Sequence, residues 1–433
     1  MNAAERIAYF SKIWKQVSHV FPYFDRVDLD IDQVYAEYLP RIMTAESDRD
    51  YCLLLAEFVN LLGDGHTDFS FPMDLRREVG FLPFSLVYVE GAYYLGAVEQ
   101  GREELLYAKV ERINGELMSD LLHRAFRYVY HVERHVYPSK LHAIFPFLLR
   151  TCGNVMETSV GTYKFDLVSE APALRRDAAL NAHVPYSPVE SEKLEIRLYE
   201  GGILYANIPT LTYGGAAGEL AAALKCGDVK GVVLDLRENE GGMTANGARI
   251  AELFLSGSFS GCCKRTRVMK GLDVASASQY ARMSDETIER YLADGLCDRE
   301  EVERCRRIYA NTLFEEYRDS FGSESHRAMY DGPCVILTTR NTISAAEDMV
   351  AMFRSNSRAV ILGAATHGTT GTPLMLPMPI GGGVRVCSVG YRLLDGTEFI
   401  GTGIQPDVRV ENSIEDLRSG YDRVLNHALR MLR

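Results

Sequence analysis

Ser344 stands in "TISAAED" (342–348), which follows the apolar run Val335–Leu337 after four residues and precedes a segment with helical spacing. A serine at a strand-to-helix turn is pointed outward. The next backbone N–H, that of Ala345, lies at the positive end of the helix, where a developing oxyanion is stabilised. The same residues admit a local reading. Ser344 and Glu347 spell S-x-x-E, the capping box, in which hydroxyl and carboxylate satisfy free N–H groups of the first turn. "DLRENEGG" (235–242) carries a parallel ambiguity: Gly241 and Gly242 after an apolar strand permit a sharp turn, and equally let N–H groups approach a substrate carbonyl closely. Upstream, "LLGDGHT" (61–67) sets His66 among turn-forming residues, an imidazole suited to proton transfer near neutrality.

Other motifs lead elsewhere. "HVERH" (131–135) has the i, i+4 histidine spacing of zinc enzymes, but Glu133 does not directly follow the first histidine, and solvated surface is the expected reading. "GAATHGTTG" (363–371) lacks the lysine of a nucleotide-binding loop, and "GGMTANG" does not fit dinucleotide spacing. No metal or organic cofactor is implied. The nine cysteines are an odd count without C-x-x-C, read as reduced and mostly buried thiols rather than a disulfide frame or zinc site.

The elements that must carry these residues follow from periodicity. Residues 1–75 read as helical, with apolar residues at i, i+3, i+4, i+7 in "IDQVYAEYLPRIM" and "DYCLLLAEFVNLL". Residues 78–167 form a strand-rich module that opens on a hairpin turned at Glu90-Gly91. Residues 168–192 lose periodicity and read as a linker. Residues 193–433 return strand, turn, helix, as expected of a covered parallel sheet. A highly charged helical insertion interrupts this domain at about 260–330, either a solvated excursion or a lid. The expected fold is therefore multidomain α/β. No repeat or low-complexity tract is present.

Hydrophobic residues at 47% and charged residues at 24% are globular values, and the net charge of −12 disfavours a nucleic-acid or anionic-membrane partner. No apolar run approaches the roughly 18 residues of a membrane span. The amphipathic N-terminus lacks the apolar centre of a signal peptide, so the chain reads as cytoplasmic, with export behind a removed leader left open. Association into a homo-oligomer is compatible with the sequence.

Five stretches taken in order, "LLGDGHT", "VVLDLRENEGG", "TISAAED", "GAATHGTTG" and "GTGIQPDVRV", resemble the S41 serine peptidases, the family of carboxyl-terminal processing proteases and the tricorn core. The resemblance implies an N-terminal helical region, a PDZ-like module and a crotonase-like α/β catalytic domain. It maps the nucleophile onto Ser344, the supporting glutamate onto Glu347, and the oxyanion hole onto the N–H of Ala345 with that of Gly241 or Gly242. The processing branch activates its serine with a lysine 25 positions on; that position here is Thr369, and no lysine follows Lys270. A Ser–Lys dyad in this domain is excluded. A serine needs a base near neutral pH, and the tricorn-like branch takes a histidine from the segment matching "GDGHT". His66 is thus favoured, with His367 as the alternative base. The acid orienting the imidazole is Glu398 or Asp395. The tricorn core has a serine directly before its histidine, where this chain has Gly65. The implied activity is peptide hydrolysis of a peptide or protein substrate. A degenerate family member that binds a peptide or apolar ligand, and a hydrolase of small esters or amides, are the alternatives.

Overall fold

The computed structural model describes residues 1–433 except 134, 173, 175–193, 269–276, 279, 281–282 and 311. Most of the linker expected over 168–192 lies outside the described residues. The chain forms two compact units: 1–70 with 263–318 and 371–391, and 71–262 with 319–370 and 392–433.

The larger unit is built on a six-stranded sheet. Its strands are β1 (Glu195–Tyr199), β2 (Ile203–Asn207), β3 (Gly231–Asp235), β4 (Cys334–Thr338), β5 (Val360–Gly363) and β6 (Val408–Arg409). They lie in the order β6-β5-β4-β3-β2-β1, all parallel except for β1, which pairs antiparallel with β2 at the edge. The central strands are unbroken apolar runs because both their faces are covered. Val233, Val335, Leu337 and Leu362 pack on one face against Val424, Ala428 and Leu429 of the C-terminal helix Arg423–Met431. Helices α1 (Thr244–Ala251) and α2 (Ala345–Ser355) follow β3 and β4 and pack on each other.

At the end of β3 a buried ion cluster ties the sheet to the C-terminal helix. Arg237, 2% exposed, donates to Asp235 and, at 2.9 Å through both terminal nitrogens, to Asp422, the N-cap of that helix. Tyr205 donates to Asp235 as well, at 2.8 Å. Removing the guanidinium leaves two carboxylates facing each other without their counter-ion. Arg237→Ala should therefore cost about 3–5 kcal/mol, read as a lower denaturant midpoint.

The strand-rich module belongs to the same unit. Its hairpin, Phe84–Val89 with Ala92–Val98, turns through Glu90 and Gly91, both at positive φ (50° and 79°) as a type I′ turn requires. A four-stranded antiparallel sheet follows, with helices Met118–Ala125 and Pro138–Leu148. The described residues of "HVERH" are not helical, and they are solvated only in part: His131 and Glu133 are exposed, whereas Val132 and His135 form an isolated bridge and His135 is 5% exposed against the rings of Tyr88 and His367.

The smaller unit gathers three distant stretches. Helices Ala3–Val20, Ile31–Met43 and Asp48–Asn60 are each capped by a polar side chain (Asn2, Asp30, Ser47). The edge-on rings of Phe10, Phe58 and Tyr38 lie in their shared core. An antiparallel sheet of Asp68–Ser70, Gly383–Cys387 and Pro373–Pro377 packs beside them. The Tyr9 hydroxyl pins the first helix to this sheet, donating to the Leu376 carbonyl and accepting from Val384 N–H at 3.1 Å. The charged insertion supplies helices Asp285–Ala293 and Arg299–Tyr309, then a strand, Phe314–Arg318, paired with Cys262–Arg267. All nine cysteines are free, and six of them are buried.

Candidate active site

Parallel strands deliver their loops to one edge of the sheet, and ligand sites of α/β folds form there, beyond the carboxyl ends of the strands. Ser344 sits beyond β4, as the residue before α2, with φ 60° and ψ −127°. A side chain rarely takes this conformation, which costs on the order of 1–3 kcal/mol and persists only where surroundings enforce it. The enforcement is visible. Ser344 N–H donates to the Thr369 carbonyl at 2.9 Å, and its own carbonyl accepts from Asp348 N–H at 3.0 Å. Ile343 N–H donates to the Asn239 carbonyl at 3.0 Å, and Thr342 Oγ1 to Leu236 O at 2.8 Å. The loops after β3 and β4 are thereby held as one piece.

The capping box does not form: the Ser344 side chain makes no cap hydrogen bond to its helix. Glu347 is fully buried and turned to the loop after β5. It accepts from Thr366 Oγ1 at 2.5 Å and from the N–H groups of Gly368 and Thr369 at 2.8 Å. Burial pushes its carboxyl up to about 8, against these three donated bonds. Glu347 thus holds the loop whose Thr369 carbonyl holds Ser344. Asp348 works alongside, accepting from Thr370 of that loop at 2.8 Å and from Thr244 at the start of α1 at 2.7 Å. Nothing in the sequence singles out Asp348 or Asn239, and Thr369 stands out there only as the place of the processing branch's lysine, since their parts exist only once the three loops meet.

Gly241 is forced by contact. A Cβ at this position would lie 2.7 Å from Ser344 Cβ and 3.0 Å from Ala345 N, and its φ is 103°. The Gly241 N–H donates to Asn239 Oδ1 at 2.8 Å. Gly242 lies against Leu211 and Thr212, 2.4 Å from where its Cβ would fall. The structure thus brings Ser344, Ala345, Gly241 and Glu347 together.

His367 is built into a different environment. Its Nδ1 donates to the Arg340 carbonyl at 2.9 Å, and its ring meets those of Tyr130, His135 and Tyr137. Burial lowers its pKa to about 4, which makes it a weak proton acceptor. Asp395 and Glu398 are both exposed on the turn after Leu393, and Asp395 Oδ1 accepts from Thr397 N–H at 2.8 Å.

His66 belongs to the smaller unit, in the loop between Asn60 and Asp68, and is 4% exposed. Asp64, read from sequence only as a turn residue, is likewise buried and accepts from Thr67 Oγ1 at 2.8 Å. Burial raises the Asp64 carboxyl to about 6, with Thr67 and Arg385 opposing. Thr67 Oγ1 in turn accepts from Cys387 N–H at 3.0 Å, and Arg385 binds Asp68 and the Gly65 carbonyl. Gly371 completes this close-fitting cluster: a Cβ there would lie 2.6 Å from Cys387 Sγ and 3.4 Å from His66 Cβ. No group of metal-ligating side chains occurs among the described residues, and none of their helices is long and apolar enough to cross a membrane.

Comparison with known proteins places this architecture among peptidases. Residues 202–410 match the model of peptidase family S41, and residues 2–60 that of the tricorn protease C1 domain. The S41 model covers 209 of the chain's 433 residues, and over that stretch the chain is similar to this peptidase family. A carboxy-terminal-processing protease of Bartonella bacilliformis is 24% identical over 200 residues, 46% of this chain and 35% of that relative, so the match spans little more than a third of the relative's length. In fold, the chain is similar to mature CPAF (TM-score 0.69, 14% identity, 99% of this chain and 96% of the other). It is also similar to the photosystem II D1 C-terminal processing protease (TM-score 0.51, 15% identity, 94% and 93%).

Proposed function

We propose that the chain is a serine peptidase that cleaves peptide bonds through an acyl-enzyme, with Ser344 as nucleophile and His66 as general base. The observation that carries the reading is the strained turn at Ser344, held from three loops with Gly241 pressed against it. Two further facts support His66. The alternative, His367, has its Nδ1 engaged and a depressed pKa. And Thr369, bonded to Ser344, is separated by one residue from Gly371, packed on His66.

In this mechanism Ser344 Oγ attacks the scissile carbonyl carbon while His66 takes the hydroxyl proton. The carbonyl π pair moves to oxygen, giving an oxyanion bound by the N–H of Ala345 and a glycine N–H. Because Gly241 N–H is engaged by Asn239 Oδ1, the second donor is Gly242 N–H. Collapse expels the amine, protonated by His66; water, deprotonated by His66, then releases the acid. Glu398 or Asp395 orients the imidazole, and the strand-rich module, as a PDZ-like domain, takes a substrate tail by strand addition.

Gly241→Ala should displace the loop that carries Gly242 N–H and lower kcat by about 10²–10³, the cost of one oxyanion donor, with KM little changed. Digestion of a peptide library, read by mass spectrometry, tests the function. New termini that vanish in Ser344→Ala are expected. Ester hydrolysis without peptide cleavage would identify a small-ester hydrolase instead, and neither activity would identify a binding protein.

A further inference from the structure

The larger unit holds a cavity of about 900 Å³ between the hairpin turn at Val89–Gly91, the 132–138 segment and the loops after β3, β4 and β5. It shares the 236–242 and 339–344 loops with the catalytic turn, yet neither Ser344 nor Gly241 lines it.

Its charges are unevenly committed. Among the lining arginines, Arg237 is held by Asp235 and Asp422, and Arg340 by Glu133. Arg409 and Arg423 are paired likewise, to Glu411 and Asp416. Glu238, only partly buried, has no arginine of its own; its described hydrogen bond is from Asn341 Nδ2 at 3.0 Å. Two lining side chains more than nine-tenths buried leave a polar atom without a partner among the described residues, Asn341 Oδ1 and His135 Nδ1. Such atoms are uncommon in folded proteins and mark a place where a donor belongs. Asn341 Oδ1 is an acceptor on the same amide that binds Glu238, so the two residues offer adjoining acceptors. His135 adds no repelling charge, since burial, with His367 and Arg340 nearby, holds its pKa well below the usual value.

We propose that this cavity is a second binding site, for a ligand presenting an ammonium or guanidinium group to Glu238 and Asn341 Oδ1. Desolvation at the cavity wall raises the Glu238 carboxyl to about 8 against the Asn341 hydrogen bond and the nearby Arg237 charge, and a cationic partner adds to those two in restoring its charge in place. A free amine and a basic side chain of a peptide share this chemistry.

Calorimetric titration of the full-length Ser344→Ala chain tests the proposal without cleavage and independently of the catalytic reading. Argininamide acetylated at its α-amine should bind saturably, and citrullinamide acetylated likewise, nearly isosteric but uncharged, at least about tenfold more weakly. Glu238→Gln should weaken argininamide by a similar factor, and Asn341→Asp, which adds a carboxylate, should tighten it. A short arginine-bearing peptide that binds tighter than argininamide identifies a basic side chain as the occupant; weaker binding identifies a free amine. Absence of saturation, equal binding of citrullinamide, or an affinity indifferent to Asn341→Asp would overturn the proposal. The last holds even if Glu238→Gln fails to fold.

Discussion

Ser344→Ala is expected to lower kcat by about 10⁶-fold while leaving substrate affinity nearly intact. The variant removes one oxygen from a turn whose geometry rests on backbone bonds: Ser344 N–H to Thr369, Ile343 N–H to Asn239, Asp348 N–H to Ser344 O. None of these needs the hydroxyl, so the fold should survive, and a melt within a few degrees of wild type is the control. A residual rate above the uncatalysed one is expected, because the N–H groups of Ala345 and Gly242 still polarise a bound carbonyl.

His66→Ala should cost about as much, and the double variant with Ser344→Ala should lose nothing further, since nucleophile and base act as a unit. The contrast with His367→Phe makes this specific. Phenylalanine keeps a ring among Tyr130, His135 and Tyr137 but loses the bond from Nδ1 to Arg340 O. That change should cost roughly 1 kcal/mol of stability and leave kcat within a small factor of wild type. If His367 were the base, the two variants would exchange their effects.

Much of this arrangement is legible in sequence where a local signal and the tertiary environment agree. The runs Gly231–Asp235 and Cys334–Thr338 are apolar without alternation because both faces of a parallel sheet are covered, and Glu90-Gly91 turns a hairpin because positive φ is needed twice. Where they disagree, tertiary contacts win. S-x-x-E at Ser344 has the letters of a capping box, but three donors from the loop after β5 take the Glu347 carboxylate. His131 and His135 have helical spacing, but the ring neighbours of His135 and its bridge to Val132 set the local path. Gly241 and Gly242 are interchangeable as letters, and only the Asn239 side chain distinguishes their N–H groups. Nor does any local pattern announce that residues 1–70, 263–318 and 371–391 form one unit, because their pairing is entirely long-range.

The pairing of Ser344 with His66 is tested most directly by the rate of covalent labelling with a fluorophosphonate, mapped by peptide mass. The adduct is expected on Ser344 in wild type, at an unchanged rate in His367→Phe, and at least about a hundredfold slower in His66→Ala, within the range that general-base catalysis contributes. Labelling of folded His66→Ala at the wild-type rate, or no labelling of Ser344 in folded wild type, would contradict it.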